Sequence, residues 1–192
     1  MDVLSAIFGG EARVKILRLF LFNPDSKLTA EEIADRAKCR PDAVRKEIKA
    51  LLEAGAIKKR GSIKGHSYHL DPDFPYLEPL KNLLITSSVK ADQYMLKRFS
   101  KAGRLKLLVA SGVFIQNWDS RVDILIVGDS ISLPRIESVI RDIEAELGKE
   151  IAYSAFETQD FEYRMGIHDR LVRDIMDYPH VTLIDRLGID PE

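Results

Sequence analysis

The stretch from Thr29 to Gly55, TAEEIADRAKCRPDAVRKEIKALLEAG, reads as two helices and the turn between them. Thr29-Ala30-Glu31-Glu32 has the capping-box pattern, in which a hydroxyl and the Glu32 carboxylate satisfy amides that a first helical turn leaves unpaired. Ile33, Ala34 and Ala37 form the inward stripe of a short helix. Arg40-Pro41-Asp42 opens the next one, because proline lacks the amide that has no partner there and an acid favours the helix dipole. Val44, Ile48, Leu51 and Leu52 recur at helical spacing, and Gly55 supplies the stop. With those four buried, Arg45, Lys46 and Lys49 are left toward solvent, on or beside the opposite face.

Upstream, Glu11 to Phe22 carries Val14, Ile16, Leu17, Leu19, Phe20 and Leu21, the pattern of a mostly buried helix ended by Asn23-Pro24. Downstream, Ala56 to Arg60 and His66 to Leu70 flank Gly61-Ser62-Ile63-Lys64-Gly65, which reads as a hairpin with that glycine-bounded segment as its loop. Asp71-Pro72-Asp73 breaks the chain. Two helices, Pro75 to Ile85 and Val89 to Lys101 with Ser87-Ser88 between them, are expected to join two domains. Beyond Leu105, apolar β-branched runs at Leu105 to Ala110 and Val122 to Val127 alternate with an amphipathic helix at Leu133 to Leu147 and a strand at Glu150 to Phe156. Two further helices and a strand at Val181 to Ile184 complete an α/β unit. The expected class is therefore α+β, with domains at 1–74 and 104–192 and joining helices at 75–103.

The formal net charge of −1 favours no partner, but its distribution is informative. Between Arg36 and Lys64 stand Arg36, Lys38, Arg40, Arg45, Lys46, Lys49, Lys58, Lys59, Arg60 and Lys64, against Asp42, Glu47 and Glu53. The C-terminal half reads as acidic, so positive charge is expected in this one segment. A single cysteine, Cys39, excludes an intramolecular disulfide and a multi-cysteine zinc site within one chain. No apolar run approaches the roughly 18 residues of a membrane span, and the N-terminus lacks the order of a signal peptide. A cytoplasmic protein with no membrane contact is expected.

Helix, helix, basic helix and basic hairpin, in that order, resemble the winged helix-turn-helix of the ArsR and MarR-like transcriptional regulators over roughly residues 11 to 72. The resemblance implies a recognition helix in the major groove of double-stranded DNA and a wing beside its backbone. Arg40 and Asp42 lie at the end of the helix that reaches base edges, and Arg45 and Lys46 suit a guanine edge or a phosphate. Lys49, Lys59, Arg60 and Lys64 suit phosphates. A helix-end acid such as Asp42 can equally serve the dipole alone. The simpler reading of all these charges is a solvated face on a module for protein contacts.

A second resemblance covers roughly Leu105 to Leu187. Ser111-Gly112-Val113-Phe114, followed by Asp119-Ser120-Arg121-Val122-Asp123 and the apolar Ile124 to Val127, looks like the nucleotidyltransferase superfamily. In that family a strand leads into Gly-Ser, and a later strand carries two carboxylates, one residue apart, that hold magnesium ions for attack on a triphosphate. Here Arg121 stands at the first carboxylate and only Asp123 remains. Val113 replaces a phosphate-holding serine, the loop from Gly112 to Arg121 is short, and Ala152 stands at the third carboxylate. An arginine among metal ligands repels the cation, so the resemblance implies a degenerate site at Ser111, Gly112, Arg121 and Asp123, with no catalytic residue, metal or cofactor.

The leading expectation is a non-enzymatic DNA-binding regulator. Its C-terminal domain would provide dimerisation, a protein contact or the sensing of a small-molecule or nucleotide effector. A homodimer would set two recognition helices about one DNA turn, roughly 34 Å, apart, with the joining helices as its interface. One alternative is a nucleotidyltransferase enzyme that recruits Asp119 or Asp129 as a second carboxylate. Another is a protein-interaction module. Three smaller expectations accompany these. His66 and His69 face opposite sides of a strand and share no metal, Cys39 is a small buried residue, and Phe114 and Trp118 pack in a core or interface.

Overall fold

The computed structural model describes residues 3–62, 65–86 and 93–189. Contacts divide the chain into two units, Met1–Ser88 with Asp142–Glu150, and Val89–Arg141 with Ile151–Glu192.

The first unit is built on α2 (Glu11–Phe22), whose Val14, Ile16, Leu17, Leu19, Phe20 and Leu21 are all buried. A short helix the sequence reading missed, α1 (Val3–Ile7), precedes it. Around α2 pack α3 (Ala30–Arg36) and α4 (Pro41–Glu53), contributing Ile33, Val44, Ile48 and Leu51 to one core. Each such side chain removed from water contributes about 1.5–3 kcal/mol. Both ends of this pair form as expected. The Glu32 amide donates to the Thr29 hydroxyl, the Thr29 amide donates to the Glu32 carboxylate at 2.7 Å, and Pro41 occupies the first turn of α4. The turn between them holds Lys38 at φ 48°, a left-handed conformation uncommon for a side-chain-bearing residue.

The capping box supports a first prediction. The Thr29 backbone bond, more than the hydroxyl, holds the Glu32 carboxyl below its ordinary value. Its stabilising share is therefore complete above the unfolded-state pKa and is lost as pH falls through the lowered folded-state value. Thr29→Ala should cost about 1 kcal/mol at neutral pH in urea unfolding, and Glu32→Gln should abolish the acid-side share.

The strands β1 (Ile57–Ser62) and β2 (Gly65–Leu70) form an antiparallel hairpin in which Ile57 faces Leu70 and Ser62 faces Gly65. Gly61, Ser62 and Gly65 are thus strand residues, where the sequence pattern placed them in the loop. A glycine can join a ladder through its backbone alone, and composition does not reveal that. Leu28 forms an isolated antiparallel bridge to Tyr68 beside the ribbon.

The expected boundary at residue 74 detaches α5 (Leu77–Thr86), but this helix belongs to the first unit and buries Leu84 in its core. The buried Arg18 guanidinium donates to the Leu84 carbonyl at 3.1 Å, so this buried donor meets a backbone acceptor. Residues 142–150 also belong to this unit. There Asn23 donates to the Gly148 carbonyl at 2.7 Å, and a Cβ on Gly148 would stand 2.4 Å from the Leu19 nitrogen.

The second unit is a four-stranded sheet in the order β5-β4-β3-β6, from β3 (Arg104–Ala110), β4 (Ile124–Asp129), β5 (Tyr153–Glu157) and β6 (Val181–Asp185). The β3 strand runs antiparallel to β4 and β6, whereas β4 and β5 are parallel. That parallel pair requires a crossover, supplied by α7 (Leu133–Leu147). Alternation sends Leu107, Val109, Leu125 and Val127 to one face. There they meet Phe161 of α8 (Thr158–Gly166) and Val172 and Ile175 of α9 (Arg170–Met176). Leu108, Ala110, Ile124 and Ile126 on the other face are equally buried, as unbroken apolar runs require. Before β3 lies α6 (Gln93–Phe99), which ends two residues before the expected Lys101; the expected start at Val89 lies outside the described residues. The expected Ser87-Ser88 break lies outside the described residues. Among the described residues no helix is long and apolar enough to cross a membrane.

Candidate nucleic-acid interface

Helix α4 buries Val44, Ile48 and Leu51 and leaves Arg40, Asp42, Arg45, Lys46 and Lys49 exposed. Arg40 pairs with Asp42 at 3.4 Å and Lys49 with Glu53 at 3.8 Å, both on the surface. Such pairs contribute about 0–1 kcal/mol and yield readily to a stronger anion. Among the described residues, Arg45 and Lys46 are committed to no ion pair.

Glu47, an acid within this basic stretch, is withdrawn from the face. It is buried and accepts from Arg13 Nε of α2 at 2.6 Å, so it positions α4 instead of opposing its charge. Sequence spacing carries the signal, since Glu47 lies three residues after Val44 on the inward stripe. Glu47→Ala leaves the Arg13 guanidinium half-buried without its partner and should destabilise the first unit by about 2 kcal/mol. Most of that loss should be absent in the Arg13→Met, Glu47→Leu pair, measured as a double-mutant cycle.

The ribbon divides its cations by alternation. Lys59 sits opposite Tyr68, and Tyr68 lines a hollow of about 260 Å³ with Arg45, Ile48 and Lys49 of α4. Lys59 therefore shares the side of the ribbon that faces α4, while Arg60 and Lys58 take the other. Lys58 is held there by Asp71 at 2.7 Å. The bond raises the lysine's pKa and lowers the aspartate's. Lys59 and Arg60, expected alike to meet phosphates, thus take opposite sides, because consecutive strand residues point apart. Lys64 lies outside the described residues.

A family model described as a helix-turn-helix domain matches residues 10–60. The chain therefore carries an N-terminal helix-turn-helix domain, spanning α2, α3, α4 and the start of the hairpin. No curated protein and no solved structure matches the chain.

Of the residues singled out in the second unit, Ser111, Gly112 and Asp123 form a closed structural knot that leaves Arg121 outside. Ser111 is buried, its hydroxyl donating to the Val122 carbonyl and its amide to the Asp123 carbonyl. Gly112 opens a 3-10 turn (Gly112–Ile115) at φ 56°, and a Cβ there would stand 2.0 Å from Asp123 Oδ1. Buried Asp123 accepts from the Val113 amide at 2.8 Å through Oδ1 and from the Ala152 amide at 3.0 Å through Oδ2. Both carboxylate oxygens thus serve the backbone. Arg121 is exposed and pairs with Asp174 at 3.0 Å, beside Arg170, in a hollow of about 290 Å³. This donor set does not fit magnesium, because Arg121 is a cation paired with Asp174 and both carboxylate oxygens of Asp123 are taken by backbone amides. Asp129, the alternative second carboxylate, accepts from the Thr158 hydroxyl at 2.6 Å, which with Lys106 and Arg104 holds it below its ordinary pKa. Among the described residues no group of three or more acids, histidines or cysteines is placed to hold a metal.

Three further expectations can be compared with the structure. Cys39 is half-buried, its Sγ bonded to the Ala37 carbonyl, and burial pushes its thiol pKa up. Phe114 is buried as expected, whereas Trp118 is exposed and so is not a core residue of this chain. His66 and His69 oppose Gly61 and Lys58, on different faces of the ribbon.

Proposed function

We propose that the chain is a DNA-binding transcriptional regulator whose recognition helix is α4 and whose wing is the β1–β2 ribbon. The observation that carries this is the exposed cationic side of α4 beside Lys59, on a domain matched as helix-turn-helix. Arg45 and Lys46 are the central contacts. Arg40 and Asp42 stand at the base-reading end, and Lys49, Lys59, Arg60 and Lys64 act on phosphates.

For the second unit we propose a nucleotidyltransferase-like fold without catalysis. Support comes from the knot around Asp123, in which a strand runs straight into Ser111-Gly112 while the acid just before the next strand bonds amides. Its role in this reading is homodimerisation or effector sensing, with the Arg121, Arg170 and Asp174 hollow as the place for a small anionic effector.

The deciding experiment is selection from a random duplex pool at two salt concentrations. Enrichment of a two-fold symmetric motif, with affinity falling steeply as salt rises, is the expected result. Equal retention of every sequence, or none at low salt, would favour a protein-contact module. Magnesium-dependent transfer from labelled ATP, lost in Asp123→Ala variants that remain folded, would overturn the non-catalytic reading.

A further inference from the structure

Helix α7 begins in the second unit, yet its last turns and the residues after them, Asp142–Glu150, belong to the first. That segment lies far outside the helix-turn-helix match at residues 10–60. The carbonyls that a helix end leaves unpaired are met there from two directions. The Glu144 carbonyl accepts from the Gly148 amide at 2.7 Å, and the Glu146 carbonyl accepts from Arg18 Nη1 at 3.3 Å. Gly148 takes φ 76°, and its lack of a Cβ admits the Arg18-Leu19 backbone of α2.

From Gly148 the contacts run to both sides of the turn between α3 and α4. The Gly148 carbonyl accepts from Asn23 Nδ2 at 2.7 Å, and Asn23 Oδ1 accepts from Arg36, in the last turn of α3, at 3.2 Å. Arg36 also faces Glu150 at 3.8 Å. Past the end of α3, Lys38 pairs with Asp142 at 2.5 Å. Lys38 is the residue held at φ 48°, and a side-chain-bearing residue stays left-handed only where its surroundings fix it. Arg40 and α4 follow directly, so this turn decides where α4 starts.

We infer that Asp142–Glu150, acting through Asn23, Arg36 and Lys38, positions α4, so that a segment from the second half of the chain completes the DNA-reading end of the molecule. The DNA-reading role rests on the function proposed above, whereas the placement of α4 does not. A different account of the same pairs is screening, in which Asp142 and Glu150 merely offset two cations beside a duplex. The two accounts predict opposite signs. Removing an acid that screens tightens binding to a polyanion, but removing one that positions loosens it.

The test compares the full chain with Asp142→Ala, Asn23→Ala and Gly148→Ala, by amide hydrogen exchange without DNA and by duplex affinity at fixed salt. Asp142→Ala should speed exchange of the Lys38, Cys39 and Val44 amides by about threefold to fivefold, the scale of an exposed ion pair, and leave the Tyr68 amide of the ribbon unchanged. Its duplex affinity should fall by a similar factor although a negative charge has gone. Asn23→Ala and Gly148→Ala should loosen the turn further. Lys38→Gly adopts the left-handed backbone without strain and removes the pair, so adding Asp142→Ala to it should change nothing more. An unaltered thermal midpoint in Asp142→Ala separates positioning from unfolding even where Gly148→Ala fails to fold. Unchanged exchange at the turn, or equal or tighter duplex binding by Asp142→Ala, overturns the inference. A parent chain that binds no duplex would remove the proposed DNA contacts, and the exchange comparison would still decide the placement of α4.

Discussion

Replacing Arg45 and Lys46 together by alanine lowers duplex affinity by about 100-fold or more, since each cation that reaches a base edge or phosphate is worth about 1–3 kcal/mol. Both side chains are exposed and neither supports the core, so the thermal midpoint should stay near the parent value. The two singles should differ in kind. A residue on a guanine edge relaxes sequence preference at one position, whereas a residue on phosphate weakens every sequence alike and lowers the salt slope by about one. Lys59→Ala should follow the phosphate pattern more strongly than Arg60→Ala, because of these two Lys59 shares the α4 side of the ribbon. Fluorescence anisotropy on a selected duplex at several salt concentrations measures all of these. An unchanged affinity in the double variant would remove α4 as the recognition element.

Asp123→Ala should unfold the second unit more readily by about 1.5–4.5 kcal/mol, because the buried Val113 amide loses its acceptor at about 1–3 kcal/mol and the part-buried Ala152 amide loses a bond worth about 0.5–1.5 kcal/mol net. Asp123→Asn keeps one acceptor but presents an NH2 to the other amide, so its loss should fall between. Gly112→Ala should match the alanine variant, since its Cβ meets the same carboxylate from a left-handed backbone. Arg121→Ala removes only a surface pair and should cost no more than about 1 kcal/mol. Hydrogen exchange of β4 and β5 resolves this unit from the other. Parent-like protection in Asp123→Ala would show that the carboxylate is not what closes the turn.

Much of this architecture was legible from local pattern. Glu11–Phe22 and Leu133–Leu147 have the expected bounds because apolar periodicity runs their whole length and their ends carry breakers. The two-helix stretch was legible through capping chemistry, which needs only near neighbours. The 3-10 turn after Ser111 was not, since it exists because a carboxylate eleven residues beyond Gly112 bonds the Val113 amide. The placement of residues 142–150 against α2 left no trace either, because Gly148 is needed for its closeness to Leu19, far away in the chain.

Sequence alone determined the helix-turn-helix and that Arg45, Lys46 and Lys49 of α4 meet water, since a 3.6-residue period and one buried stripe place them away from the core. Tertiary structure decided which charges count. It hid Glu47 against Arg13, bound Lys58 to Asp71, split Lys59 from Arg60, turned Asp123 onto backbone amides and brought Asp142 to Lys38. The physical reason is reach. A period reports the face a residue occupies on its own element, whereas the work its charge does depends on the partner that folding brings within about 4 Å.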